Sequence, residues 1–318
     1  MKKNINIAII GFGNIGSFFY KTLKLKKSRI ELKTNKSITI KYISAKNFNK
    51  KRKIKIPRSL WIKNPLSICK KKDIDIIIEL IGGSDGIAKK VVFSALKNKK
   101  HVITANKSLL AKYGDQLSAI AEKNKINLEY EASVAGGIPI IRSIKDGLIA
   151  NKISKVYGIL NGTTNYILSE MEKSNKDFSI VLNEAKKLGF AESNPLYDLS
   201  GNDAADKIRI LSALAFNKFI SKNKILTSGI QNINLNDIKY ANDLGYKIKL
   251  LAISEIIKNK LVERVHPSLV PRKSYIANIS GVLNAVIIDS IPLGRTVIQG
   301  EGAGPGPTTS ALISDLCS

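Results

Sequence analysis

Four charged side chains lie close together in the segment 185–207. Glu192, Asp198, Asp203 and Lys207 fall within sixteen residues, among turn-forming Gly, Pro, Ser and Asn. Asp203 and Lys207 are spaced i and i+4, so on a helix they share one face, and the other two precede them in a loop. A lysine held among carboxylates can bind a polar substrate and transfer a proton at a carbonyl or hydroxyl carbon. The charges alone leave a solvated surface as the alternative.

A glycine-rich turn near the N-terminus is typical of a dinucleotide site. It follows the apolar run 5–10, which predicts a buried strand, and it leads into a predicted helix at 15–26. Gly11 permits the tight turn, Gly13 lets a pyrophosphate approach the backbone, and Gly16 lets helix and strand pack closely. A turn without a ligand is the alternative. The predicted cofactor-binding residues here are Gly11, Phe12, Gly13, Asn14, Ile15 and Gly16.

The end of the second predicted strand, at 38–44, indicates which nucleotide binds. Folds that prefer NAD place an Asp or Glu there, on the ribose hydroxyls. This chain has Lys46 and Asn47 instead, and a basic run follows at Lys50, Lys51, Arg52 and Lys53. These cations can meet a 2′-phosphate, so we expect NADP(H) as the preferred cofactor and NAD(H) as an alternative.

The wider pattern predicts an α/β protein with two domains. Strands at 73–80, 101–104 and 126–134 alternate with helices at 86–98 and 108–123, which predicts a Rossmann-type doubly wound parallel sheet. The later pattern predicts a second, α+β domain. Its predicted helices are at 139–149, 164–173, 178–188 and 202–216, and its strands at 153–160, 246–256 and 261–266. We predict the nucleotide domain at 1–132 plus 296–318, with a helix opening near Thr308, and the second domain at 133–295.

The segment 185–207 also carries a longer pattern. It has Ala, three residues, Gly-Phe-Ala, then Asn-Pro, two residues, Asp-Leu, one residue, Gly, one residue, Asp, three residues and Lys. This resembles the diagnostic segment of the homoserine dehydrogenases. The resemblance implies that Lys207 is the general acid/base, that Glu192 binds the substrate amino group, and that Asp198 and Asp203 line the substrate site. It also implies NAD(P)H-dependent reduction of L-aspartate 4-semialdehyde to L-homoserine, on the route to threonine and methionine.

Further motifs extend the resemblance along the chain. Thr104-Ala-Asn-Lys107 matches a family motif, which implies that Thr104 lies at the cofactor and that Lys107 is a second catalytic residue near substrate and nicotinamide. The segment Asn161–Asn165 matches a motif that donates to the substrate carboxylate or forms the pocket floor. Gly302 belongs to a turn that resembles the family's nicotinamide-side turn. Where the family commonly has Arg-Asp, Lys46-Asn47 keeps the cation and loses the acid.

The segment 131–139 resembles the family's metal-binding hinge. The resemblance implies that Glu131 supplies a side-chain oxygen, and that Val134, Gly136 and Ile138 supply carbonyl oxygens, to Na⁺ or K⁺. Such an all-oxygen site suits a hard, weakly held cation. A glycine-rich hinge without an ion is the alternative. The two histidines are far apart and without a Cys/His cluster, so we expect neither to bind zinc.

Composition restricts the remaining choices. The formal net charge is +27, but the basic residues are mostly lysines spread along all 318 residues, so we expect no specific nucleic-acid binding. The longest apolar runs are too short to span a membrane, and the two cysteines are far apart, so we expect a soluble, cytoplasmic protein. The resemblance implies that the second domain carries catalysis and dimerisation, and that the protein is a homodimer. The chain ends at Ser318 without room for a regulatory ACT module, so we expect no threonine feedback through one.

The sequence leaves two other interpretations open. Another Rossmann oxidoreductase with a catalytic lysine, acting on a sugar or a different semialdehyde, would share the nucleotide turn but lack the pattern of 185–207. A non-catalytic nucleotide sensor or polyanion-binding protein would bind nicotinamide without turnover, or bind nucleic acid with strong salt dependence.

Overall fold

The computed structural model describes residues 3–47, 50, 52, 54–217 and 225–318. The chain forms two compact units. The first is Met1–Gly136 with Gly304–Ser318, and the second is Gly137–Ala303.

The first unit is built on a parallel sheet. Its strands are β1 (Lys3–Ile10), β2 (Lys36–Ser44), β3 (Ile76–Glu79), β4 (His101–Thr104) and β5 (Leu128–Glu129). In the described part of the chain they pair in the order β2-β1-β3-β4-β5, all parallel. Helices of this unit are α1 (Asn14–Thr34), α2 (Pro65–Cys69), α3 (Ile87–Lys97) and α4 (Lys107–Lys123). The apolar run at the end of β1 is fully buried, as a central parallel strand requires.

The second unit combines a mixed sheet with helices. Its helices are α5 (Ile140–Arg142), α6 (Gly162–Ser174), α7 (Phe178–Lys187), α8 (Leu196–Leu199), α9 (Asn202–Phe216) and α10 (Leu235–Asp243). Its strands are β6 (Lys152–Ile159), β7 (Leu226–Thr227), β8 (Tyr246–Ile257), β9 (Lys260–Pro271), β10 (Leu283–Ile291) and β11 (Gly294–Glu301). Across the described residues the strand order is β11-β10-β6-β8-β9-β7. All pairs are antiparallel except β7 with β9.

The chain ends in α11 (Pro305–Cys317), which belongs to the first unit. Leu312 and Leu316 join the apolar core that α1 and the parallel sheet form. The Asp315 carboxylate accepts a hydrogen bond from the backbone N–H of Glu131 at 3.0 Å. The C-terminal helix therefore helps to hold the segment that follows β5.

The predicted fold class is confirmed, and several boundaries differ from the sequence prediction. The helix α1 runs to Thr34, well beyond 26, and β9 runs to Pro271. The predicted strand at 126–134 is reduced to β5, because a 3₁₀ turn follows at Glu131–Ser133. In place of the helix at 139–149, α5 is followed by a π-helical turn at Ser143–Gly147. The strands β10 and β11 and the helix α10 were not predicted.

The C-terminal segment divides differently from the predicted boundary at 295/296. Residues up to Glu301 pair as β11 with β10, so they pack in the second unit, because this antiparallel hairpin extends the second sheet. The final helix begins at Pro305 rather than near Thr308. In the described part of the chain, the helices are too short or too polar to cross a membrane.

Candidate active site

The glycine turn between β1 and α1 has the shape of a nucleotide cradle. Gly11 has a φ of 102°, and a β-carbon there would overlap the backbone of Leu80. A β-carbon at Gly16 would overlap the carbonyl of Gly11, so both positions must be glycine for strand and helix to pack. At Gly13, by contrast, no atom of the described residues lies within 4 Å of the β-carbon position. The N-terminus of α1 therefore faces open space, where a pyrophosphate fits.

Aromatic rings and one arginine pack beside this turn. The ring of Phe12 lies edge-on to Trp61, with centroids 5.5 Å apart. The guanidinium of Arg52 lies 4.7 Å from the Trp61 ring centroid and 5.7 Å from that of Phe12. It also donates to the carbonyls of Asn47 at 2.8 Å and Lys50 at 3.0 Å. Arg52, one of the cations of the predicted basic run, is thus fixed next to the glycine turn.

The other predicted nucleotide residues are accessible. Lys46 is exposed just after the end of β2. Asn14 is exposed at the first position of α1, and Ile15 is half-buried beside it. Lys51 and Lys53, which belong to the predicted basic run, lie outside the described residues.

A series of side-chain hydrogen bonds fixes the start of α4, whose first residue is Lys107. The Thr104 hydroxyl is fully buried and donates to the Glu79 carboxylate at 2.6 Å. Its oxygen accepts the backbone N–H of Asn106 at 3.0 Å, and the Asn106 side chain caps α4 by accepting the N–H of Leu109 at 3.1 Å. Sequence reasoning missed Glu79, although an acidic residue at the end of an apolar strand was a visible signal.

In the second unit, Lys207 lies buried among polar groups. Its ammonium is 2.8 Å from the Asp203 carboxylate, and it donates to the backbone carbonyl of Leu160 at 2.7 Å. Both side chains lie on α9, at the predicted i and i+4 spacing. A lysine so enclosed has a fixed orientation, which a proton donor needs.

Asn161 joins the carboxylates of this cluster. Its amide donates to Asp198 at 2.9 Å and to Asp203 at 2.8 Å. Its carbonyl oxygen caps α6 by accepting the N–H of Thr164 at 2.9 Å. The Asn165 amide donates to the carbonyls of Gly281 and Leu283. The side-chain amides of this motif therefore donate to protein groups, whereas the resemblance implied that the motif donates to the substrate carboxylate or forms the pocket floor.

Two local features bring the loop residues to this cluster. Gly201 has a φ of 83° at the N-cap of α9, which lets the chain turn directly from α8 into α9. The Thr163 hydroxyl donates to the carbonyl of Phe190 at 2.7 Å and lies 3.4 Å from Asp198. This contact holds the turn after α7 on α6. Glu192 is exposed in that turn, outside the hydrogen-bonded cluster that the described residues form.

A second buried lysine bonds the last residue of the Asn161–Asn165 motif. The Lys249 ammonium, on β8, donates to the carbonyl of Ile279 at 2.6 Å, to Asn165 at 3.1 Å and to Ser169 at 3.3 Å. Only 2% of the residue is exposed, and burial lowers the pKa of its amine to about 8. Sequence reasoning missed it, although a lysine within an apolar strand is a signal of a buried charge.

The predicted cation segment is buried and acidic. Glu131, Val134 and Gly136 are buried in the first unit, and Ile138 is buried in the second. Burial, with the charges of Glu129, Glu131 and Asp315, raises the pKa of Tyr130 to about 12. Carboxylate and carbonyl oxygens are donors that suit a hard cation.

The remaining predicted positions have structural contacts. Gly302 follows β11, and a β-carbon there would overlap the Asn284 side chain. The His266 ring contacts Ser268 and the carbonyl of Pro267. Over the part of the chain that the structure describes, no three His, Cys, Asp or Glu side chains group as a metal site.

Comparison with known proteins identifies the family. The sequence profile described as "Homoserine dehydrogenase" matches residues 139–317, and that described as "Homoserine dehydrogenase, NAD binding domain" matches residues 11–131. The chain belongs to the homoserine dehydrogenase family. The homoserine dehydrogenase of Neisseria gonorrhoeae is 42% identical over 314 residues, which cover 99% of this chain and 72% of that protein.

Solved structures agree with this assignment. The homoserine dehydrogenase of Thiobacillus denitrificans is 39% identical and superposes with a TM-score of 0.93, covering 99% of this chain and 73% of that one. That of S. aureus at pH 7.5 is 41% identical with a TM-score of 0.85, covering 99% and 77%. The chain is therefore an NAD(P)-dependent oxidoreductase of amino-acid biosynthesis, with homoserine dehydrogenase activity.

Proposed function

We propose that Lys207 is the general acid and base of the reaction between L-aspartate 4-semialdehyde and L-homoserine. The observation that carries this proposal is the enclosed ammonium, held between Asp203 and the carbonyl of Leu160. The nicotinamide, when bound, supplies the hydride in the reducing direction and accepts it in the other. Lys207 gives its proton to the developing alkoxide oxygen and recovers it in the oxidation of homoserine.

The carboxylates around Lys207 are proposed to bind the substrate. The Asn161 amide holds the carboxylates of Asp198 and Asp203 close together. Their combined negative charge attracts the substrate ammonium. Glu192, exposed in the turn after α7, is proposed to bind that ammonium directly, on the strength of the family resemblance.

The nucleotide site is proposed to prefer NADP(H) over NAD(H), bound by the first unit at Gly11–Gly16. Lys46 stands just after β2, where an acid would favour NAD, and Arg52 is fixed beside the turn. Both cations can pair with a 2′-phosphate, which NAD lacks. Gly302 and Thr104 remain proposed cofactor-side positions, Thr104 acting through the backbone that its hydroxyl anchors.

Two further roles rest on the resemblance. Lys107 is proposed as the second catalytic lysine, supported by its capped position at the start of α4. Na⁺ or K⁺ is proposed to bind the Glu131 carboxylate and the carbonyls of Val134, Gly136 and Ile138. The acidic surroundings of Tyr130 support this site. The homodimer and the cytoplasmic location stay predictions.

Replacing Lys207 by methionine tests the proposed proton transfer. Loss of a general acid costs about 10²–10⁴ in rate, so kcat should fall by that factor in both directions, while the Kd for NADP⁺ stays unchanged. The matched control is Lys239→Met, at an exposed lysine of the same unit. A Lys207→Met variant with the kcat of the control would contradict the proposal.

A further inference from the structure

Asn161 lies at the centre of the polar cluster around Lys207. All of its side-chain hydrogen-bonding groups are used: both amide N–H groups go to carboxylates, and the oxygen caps α6. The residue is 5% exposed, so these bonds are shielded from water. The preceding residue, Leu160, supplies the carbonyl that holds the Lys207 ammonium.

We propose that Asn161 is a positioning residue for proton transfer, which fixes Asp198 and Asp203 and thereby the ammonium of Lys207. This inference rests on the proposed role of Lys207. One oxygen of Asp203 receives both the Asn161 amide and the lysine, each at 2.8 Å. The position of the ammonium therefore depends on where the amide holds that oxygen.

Position 161 requires a neutral side chain that donates two hydrogen bonds. A carboxylate at position 161 would repel Asp198 and Asp203, and a cation would compete with Lys207 for them. A serine can cap α6 but is too short to reach two carboxylates. A carboxylate shielded from water is destabilised when it loses its donor, so the carboxylates would shift to find other donors.

Two substitutions separate positioning from capping, because Ser, Asp and Asn cap helices about equally well. Asn161→Ser should lower kcat at least ten-fold, with an unchanged Kd for NADP⁺. Asn161→Asp should lower it further at pH 8. The control is Asn234→Ser, the same change at the exposed cap of α10, which should keep the wild-type kcat.

The pH profile gives a readout that a capping role would not change. The charged groups around position 161 are Asp198, Asp203 and Lys207, and Lys249 of β8 bonds Asn165, one helical turn along α6. As the pH falls from 8 to 6, the carboxyl introduced by Asn161→Asp gains a proton and can donate again. Its kcat relative to wild type should therefore rise several-fold, while that of Asn161→Ser stays flat.

Each outcome decides between the proposals. A wild-type kcat in Asn161→Ser, with Lys207→Met inactive, would overturn the positioning role and leave the proton donor intact. A loss seen in Asn161→Ala but restored in Asn161→Ser would assign the residue to capping alone and also overturn it. An active Lys207→Met variant would instead refute the proposed function.

Discussion

Replacing Lys249 by methionine should make the free energy of unfolding depend differently on pH. Methionine nearly matches the length of the lysine side chain and carries no charge. The substitution leaves the carbonyl of Ile279 and the side chain of Asn165 without their donor. The cost of these lost hydrogen bonds is the same at every pH. The charge of Lys249 is therefore reported by the pH-dependent part of the difference in unfolding free energy between wild type and Lys249→Met.

The magnitude follows from the lysine pKa. Burial lowers it from 10.5 to about 8. Between these two values the unfolded chain binds more protons than the folded one, so the stability from Lys249 rises with pH in this window and is lowest below pH 8. One pKa unit corresponds to about 1.4 kcal/mol, so wild type should gain roughly 2–3 kcal/mol over Lys249→Met between pH 7 and pH 10.

Urea unfolding at four pH values measures this difference. Far-ultraviolet circular dichroism follows both variants, with the two units fitted as separate transitions. The control Lys239→Met removes an exposed lysine of the same unit, and its difference from wild type should stay within about 0.5 kcal/mol. A difference between wild type and Lys249→Met that is flat, or that falls as pH rises, would refute the account of a buried, destabilised charge.

Three further predictions concern the first unit. Arg52→Ala should weaken NADPH binding about five-fold and leave NADH binding nearly unchanged, in paired titrations, because a solvent-accessible phosphate contact is worth about 1 kcal/mol; equal losses for both cofactors would contradict it. Glu79→Gln puts an amide N–H where the carboxylate accepts hydrogen bonds from the Thr104 hydroxyl and the Ile81 backbone N–H. The free energy of unfolding of this unit, measured by urea titration, should therefore fall by about 1–3 kcal/mol, and an unchanged unfolding midpoint would contradict this. Gly13→Ala should weaken NADP⁺ binding with an unchanged melting temperature, whereas Gly16→Ala should lower the melting temperature; the reverse pattern would refute the division of roles between these glycines.

Local patterns were enough to predict the elements that carry the motifs. The strand–glycine–helix sequence at the N-terminus and the i, i+4 pair on α9 are both encoded within a few residues, and both lie on the predicted elements. The strand β10 escaped prediction because it pairs with a distant partner, β6, which lies well over a hundred residues earlier in the chain, and β11 joins the sheet only by pairing with β10.

The contacts that the sequence did not predict share the same cause. Asn161 reaches Asp198 and Asp203, which are 37 and 42 residues away, and Lys249 reaches Asn165 across 84 residues. The sequence shows the residue types at these positions but not their partners. A distant partner also accompanies the early end of β5. The backbone N–H of Glu131, just after the strand, donates to the carboxylate of Asp315 on the C-terminal helix.

The proton-carrying role of Lys207 is tested most directly by chemical rescue. Lys207→Ala removes the ammonium and leaves a space that a small primary amine can enter. The variant should lose at least about 10² in kcat for homoserine oxidation, and added ethylamine should restore turnover in a saturable manner. Wild type should show no such response. A Lys207→Ala enzyme that turns over at the wild-type rate without amine would contradict the assignment of the proton to this lysine.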